Sequence, residues 1–67
     1  MDYAKLRGRI REKFVTQSLF AKRMDMDGST LSAKLNKKRD WNVSEVEKAC
    51  TLLDIPKEKA YLYFFTA

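Results

Sequence analysis

The chain contains no histidine and a single cysteine, Cys50. No internal disulfide can form, and a Cys/His zinc site is excluded. Cys50 lies in an apolar helical pattern with no base beside it, so it reads as a buried structural thiol. Proline occurs once, at Pro56, and glycine twice, at Gly8 and Gly28. Such sparse punctuation favours helices joined by short turns. No glycine-rich phosphate loop is present, and carboxylates such as Glu45 and Glu47 read as helix-end charges. Neither an enzyme nor a metal or other cofactor is expected. The longest apolar run, Tyr61-Leu62-Tyr63-Phe64-Phe65, is far too short to span a bilayer. Met1-Asp2 opens no positively charged signal sequence. These absences point to the cytoplasm and away from membranes.

What is present is a small, basic, foldable chain. Its 67 residues suit one domain with one small core; a domain of this size buries only about 60% of its unfolded surface. Hydrophobic residues make up 45% and aromatics 12%, which favours a folded domain over disorder. Fourteen Lys and Arg against nine Asp and Glu give a net charge of +5 and a pI near 9.6. That balance favours polyanionic partners, nucleic acid first, although charge alone also fits a merely solvated basic surface.

The hydrophobic spacing predicts an all-α domain of four to five helices. Tyr3, Leu6, Ile10 and Phe14 share one face of a helix over about residues 3–14, with Asp2 placed to cap it. Lys5, Arg7, Arg9, Arg11 and Lys13 fill the remainder, read chiefly as solvation. Gly8 weakens this helix by roughly 1 kcal/mol relative to alanine. Thr16 is a good N-cap for a second helix over about 17–24, in which Phe20 and Met24 face inward and Ala21 permits close approach. Asp25-Met26-Asp27 forms a turn, with Met26 dropping into the core. Asp27 can cap a third helix over about 28–36, whose buried stripe is Leu31 and Leu35. Ser29, Thr30, Ser32 and Ala33 are left outward, all short, so the backbone could approach base edges closely. Ser44-Glu45-Val46-Glu47 reads as a capping box for a fourth helix, with Val46, Ala49, Cys50 and Leu53 inward. Asp54, Ile55 and Pro56 end it. Residues 57–60 can form a short turn, and 61–65 can continue as helix or run extended as an edge strand. Trp41 is expected to pack over the third and fourth helices rather than stack on a base.

The segment Thr16–Arg39, TQSLFAKRMDMDGSTLSAKLNKKR, has the order of a helix-turn-helix followed at once by a cationic run. It resembles the phage repressor and Cro-like helix-turn-helix family, the XRE family, over about residues 3–55. The patterns KLNKKRDW, SEVEKACTLLDIP and the aromatic ending YFF are also similar to a narrower group of small phage or prophage proteins, across nearly the whole chain. The resemblance implies a compact lambda-repressor-like domain. It implies that Gln17 holds a phosphate and braces the third helix, that Ala21 fills the small-residue position, and that Met24, Met26 and Leu31 lie in the core. It places Gly28, Ser29 and Ala33 at base edges, Asn36 on the DNA backbone, and Arg39 at either. Three positions depart from the family pattern. Asp25 replaces a turn glycine, which asks for a strained or altered turn. Gly28 stands where a longer, glutamine-like side chain would read a base. Lys34 stands where an apolar residue is common, so its stem would cover the core while its ammonium reached a phosphate.

The resulting expectation is a sequence-specific DNA-binding regulator of Cro or repressor type. Its third helix would enter the major groove of operator DNA with Ser29, Thr30, Ser32 and Ala33 nearest the bases. Gln17, Lys34, Asn36, Lys37 and Lys38 would hold phosphates. A homodimer on a palindromic site is expected, since such proteins gain affinity from half-sites about 34 Å apart. The tail from Tyr61 to Phe65 either covers its own core or makes a dimer contact. The rivals are an antirepressor-like module that binds another phage regulator, and a protein that coats DNA without sequence preference.

Overall fold

The computed structural model describes residues 3–65. In chain order the elements are α1 (Ala4–Phe14), α2 (Gln17–Arg23), α3 (Gly28–Leu35), α4 (Val43–Leu53), a single 3-10 turn (Lys57–Lys59) and α5 (Tyr61–Phe64). The described residues contain no strand, so the fold is all-α as expected. No helix among them is long and apolar enough to cross a membrane. Asp2, the expected cap of α1, lies outside the described residues.

One core holds the five helices together. Leu6 and Ile10 of α1, Phe20 of α2, Leu31 and Leu35 of α3, and Leu53 of α4 are almost wholly removed from water. Tyr3, Phe14 and Met26 pack half-buried against them. The Phe14 and Phe20 rings meet at 5.3 Å, tilted by 53°, a favourable aromatic geometry. Cys50 is buried and free, and burial pushes its thiol pKa up, which makes it inert.

The helix ends show how a chain with two glycines makes tight corners. Asp25, Lys37 and Asp54 all have positive φ, at 59°, 62° and 56°. Each stands just beyond a helix, and in each case the next residue's N–H reaches back to close the last turn: Met26 to the Ala21 carbonyl, Lys38 to Ala33, Ile55 to Cys50. That is the Schellman closure, usually built on glycine. The turn after α2 is therefore an ordinary one that accepts a left-handed aspartate, and no altered path is needed. Gly8 and Gly28, by contrast, have no positive φ, and a Cβ at either would meet nothing within 4 Å. Gly8→Ala should accordingly stabilise the domain by about 1 kcal/mol in chemical denaturation; no gain would mean that α1 is distorted there.

The α1–α2 corner is different. Val15 has φ 69° and ψ −47°, and Thr16 N–H donates to the Phe14 carbonyl at 2.7 Å across it. This is a γ-turn with positive φ, strained for any L-residue and worst for a β-branched one. Val15 is also 73% exposed. Nothing it buries offsets the strain. Relief of strain worth about 1–3 kcal/mol, less the added unfolded-state entropy of glycine, gives a net gain of about 1 kcal/mol for Val15→Gly. Thermal unfolding should show a rise of roughly 4–8 °C; an unchanged midpoint would mean the turn is relaxed. Thr16 then caps α2 as expected, its hydroxyl accepting from Leu19 N–H at 3.3 Å.

Two caps differ from expectation. Asp27 occupies the N-cap of α3 with extended backbone, but its carboxylate makes no capping bond. The capping box of α4 lies two residues earlier than Ser44. Asn42 Oδ1 accepts from Glu45 N–H at 2.8 Å, and Glu45 Oε1 accepts from Asn42 N–H at 3.0 Å. The chain is already helical at Val43, which leaves Ser44 inside the first turn. The tail folds back as helix rather than strand. Phe64 is buried with Trp41 edge-on at 5.0 Å, so Trp41 packs within the domain, against α5. Tyr61 and Phe65, four residues apart on α5, stay 58% and 69% exposed.

Candidate interaction surface around helix α3

The face that the sequence singles out is real as a surface. Ser29 and Gly28 are exposed at the front of α3, and Thr30, Ser32 and Ala33 are half-buried along it. In front of Thr30 lies an open hollow of about 510 Å³ bounded by Lys22, Asp25, Met26, Asp27, Thr30 and Arg39. Its rim alternates in charge. Lys48 donates to Asp25 at 2.8 Å, and the bond and charge of Lys48 hold the Asp25 carboxyl below the ordinary range. Asp25 thus stays ionised at the mouth of the hollow. Lys37, Lys38 and Arg39 are exposed in the following loop.

Arg7, left unassigned among the charges of α1, turns out to organise this face. Its Nη2 donates to the Leu35 carbonyl and to Asn36 Oδ1, both at 2.9 Å, and its Nη1 reaches Gln17 Oε1 at 3.4 Å. Asn36 Nδ2 in turn donates to Ser32 Oγ at 3.3 Å. Gln17, Ser32 and Asn36 are thereby brought together and tied internally. Arg9 does the same on the other flank: Nε donates to the Leu53 carbonyl at 2.8 Å and Nη2 to the Asp54 carbonyl at 3.1 Å. Two residues apart on a helix are about 200° apart around it, so the pair grips the C-terminal carbonyls of α3 and α4 on opposite sides. Cations at helix C-termini satisfy orphan carbonyls and oppose the dipole. A signal existed in the sequence: arginines placed on either side of the Leu6–Ile10 stripe.

Lys34 is a correction. Only 4% of it is exposed, and its ammonium points inward rather than to a phosphate. Nζ donates to the Asp40 carbonyl at 2.7 Å, pairs with Glu45 Oε1 at 3.0 Å, and sits 5.9 Å from the centre of the Trp41 ring. A buried ammonium needs this many partners to offset its lost hydration. Burial raises the Glu45 carboxyl pKa, but the Asn42 N–H, the Lys34 bond and charge, and Arg39 outweigh it, for a net lowering. Asp54 is held low by its hydrogen bond to Lys13, helped by the charges of Lys13 and Arg9. All three carboxyls have folded pKa values below their unfolded ones. Their contribution is therefore present above the ordinary carboxylate range and lost as pH falls through the folded values. The unfolding midpoint should drop on acidification below about pH 4.5, less steeply in Glu45→Gln.

The fold and this surface define a class: an all-helical domain that presents a short-side-chain helix beside a hollow of alternating charge. The chain belongs to the DUF739 family, described as proteins of unknown function, whose model matches residues 1–67. Among solved structures it is similar to the modulator of repression (MOR) of the temperate bacteriophage TP901-1 from Lactococcus lactis, seen in solution. The two share 40% identity and a TM-score of 0.86 over 97% of this chain and 88% of that one. No curated protein matches.

Proposed function

We propose that this chain is a phage regulatory protein that modulates repression by binding another regulator through the α2–α3 face. The observation that carries this reading is the 40% identity to a modulator of repression along nearly the whole chain. The surface supports it. A DNA-reading helix wants long donors toward bases and free donors toward phosphates. Of the groups expected to serve phosphates, Lys34 is buried and Asn36 is tied to Arg7 and Ser32, while Gln17 accepts only a long contact from Arg7. Asp25 and Asp27 stand in front of α3, where phosphates would be repelled. An alternating rim with Met26 within it suits a protein surface of mixed charge instead.

The test is a titration of the cognate phage repressor on its labelled operator, with and without this chain. The chain should change the repressor's apparent affinity by about tenfold or more, or 1.4 kcal/mol, and Ser29→Glu with Thr30→Glu should abolish the effect while the fold persists. A repressor that binds its operator identically with and without the chain sinks the reading.

One observation favours the second reading, sequence-specific binding of operator DNA by α3 with Gly28, Ser29, Thr30, Ser32 and Ala33 at the bases. Lys37, Lys38 and Arg39 lie exposed directly after α3, where they would follow a phosphate backbone. In that case the chain alone would select a duplex sequence. Lys38→Ala would weaken all duplexes about equally and reduce the salt slope by about one.

A further inference from the structure

Away from the α3 face, the α1–α2 corner encloses a hollow of about 290 Å³ lined by Arg7, Ile10, Arg11, Val15, Thr16 and Gln17. Two guanidinium groups border it and no carboxylate does. Among the described residues Arg11 has no side-chain partner. Arg7 has committed Nη2 but holds Gln17 only by a long 3.4 Å contact from Nη1, so donors remain for an oxyanion. The one acid of this stretch, Glu12, pairs with Arg9 at 3.5 Å. Beside the arginines stands Val15, left largely exposed by a strained turn, with Leu19 of the first turn of α2 also 49% exposed. Strain that no burial offsets is characteristic of residues kept for contact.

We propose that this corner is a docking subsite for a carboxylate side chain of the protein partner, gripped by Arg7 and Arg11, with Val15 and Leu19 packing on aliphatic residues that flank it. The inference rests on the reading that the chain binds another regulator, and adds a second point of attachment outside the α3 face. A nucleic-acid phosphate would satisfy the arginines equally. It would place Val15 and Leu19 against a hydrated, highly charged backbone, where their exposure gains nothing. A Glu or Asp among leucines or valines on an amphipathic surface helix satisfies both halves of the site.

The first probe is a blocked Leu-Glu-Leu tripeptide, with its Leu-Gln-Leu counterpart and inorganic phosphate, each titrated into the 15N-labelled full chain. The Glu peptide should move the amide signals of Val15, Thr16 and Gln17, the Gln peptide should not, and Arg11→Gln should remove the response. No response to the Glu peptide, or an equal response to phosphate, overturns the proposal. The second arm measures repressor affinity. Arg11→Gln should weaken it about tenfold, and Val15→Gly should weaken it severalfold while raising the unfolding temperature, a combination that a purely structural role for Val15 does not produce. Parental affinity in both variants overturns the subsite and leaves the α3 reading standing. A parent chain that binds no repressor removes the α3 reading, and the peptide arm still decides whether the corner takes a carboxylate.

Discussion

Glu45→Ala should destabilise the domain by about 3 kcal/mol, the largest loss expected from a single residue that is not part of the apolar core. Two interactions end together. The return half of the capping box, from Asn42 N–H to the Glu45 carboxylate, disappears while Asn42 still caps the Glu45 N–H; the lost bond is worth about 1 kcal/mol. The ammonium of Lys34 loses its counter-ion while remaining buried, and removing one partner of a buried pair costs about 3–5 kcal/mol. The second figure is discounted because the Glu45 side chain is 23% exposed and because Lys34 keeps the Asp40 carbonyl and the Trp41 face. In a domain of this size the change corresponds to a fall of roughly 12–24 °C in the unfolding midpoint, readable by circular dichroism. Glu45→Gln keeps an acceptor for the Asn42 N–H and should lose less. Adding Lys34→Met to Glu45→Gln should restore part of the loss, since a stranded ammonium is worse than none. If Glu45→Ala melts within about 5 °C of the parent, the Lys34–Glu45 pair contributes little to folding.

Arg7→Ala should cost about 2 kcal/mol, because hydrogen bonds from a charged donor contribute about 1.5–3 kcal/mol. Its partners are the Leu35 carbonyl and Asn36 Oδ1 at the end of α3. Arg7→Met, which keeps the aliphatic stem, separates stem packing from hydrogen bonding. Beyond stability, the variant should loosen one place in particular. Amide hydrogen exchange should accelerate from Ser32 to Lys38 more than in α4, whose end is held by Arg9. Uniform acceleration across all helices would mean that Arg7 acts on the whole domain and does not clamp α3. Arg7→Lys should behave more like the alanine variant than like the parent, as a single ammonium cannot span both oxygens and Gln17.

The helices were legible in the sequence because their signal is repetition. Leu6 and Ile10, Leu31 and Leu35, and Val46, Ala49, Cys50 and Leu53 recur at helical spacing, and all are buried. Thr16 was legible as a cap because its chemistry is local. Less legible was everything that depends on a partner far along the chain. Lys34 reads as a surface cation until Glu45 and Asp40 are brought beneath it. Arg7 and Arg9 read as solvated charges until α3 and α4 end against them. The corners misled in a further way: the two glycines lie in helices, while four residues with side chains take positive φ. Asp25 and Asp54 are held there by Schellman closures and ion pairs to Lys48 and Lys13, and residue type alone does not announce that.

The double grip of α1 also sets an order of events at the ribosome. Arg7 is 28 residues ahead of its carbonyl partner in α3, and Arg9 is 44 ahead of its partner in α4. At ordinary rates of synthesis the second interval is roughly 2–9 s, far longer than a helix needs to form. An isolated helix of 11 residues is marginal in water, so α1 is secured in stages: Arg7 meets its partner once the end of α3 is made, and Arg9 only with the end of α4. The element made first is thus the last to be secured, and the nascent chain stays open to other binding partners until the end of α4 has emerged.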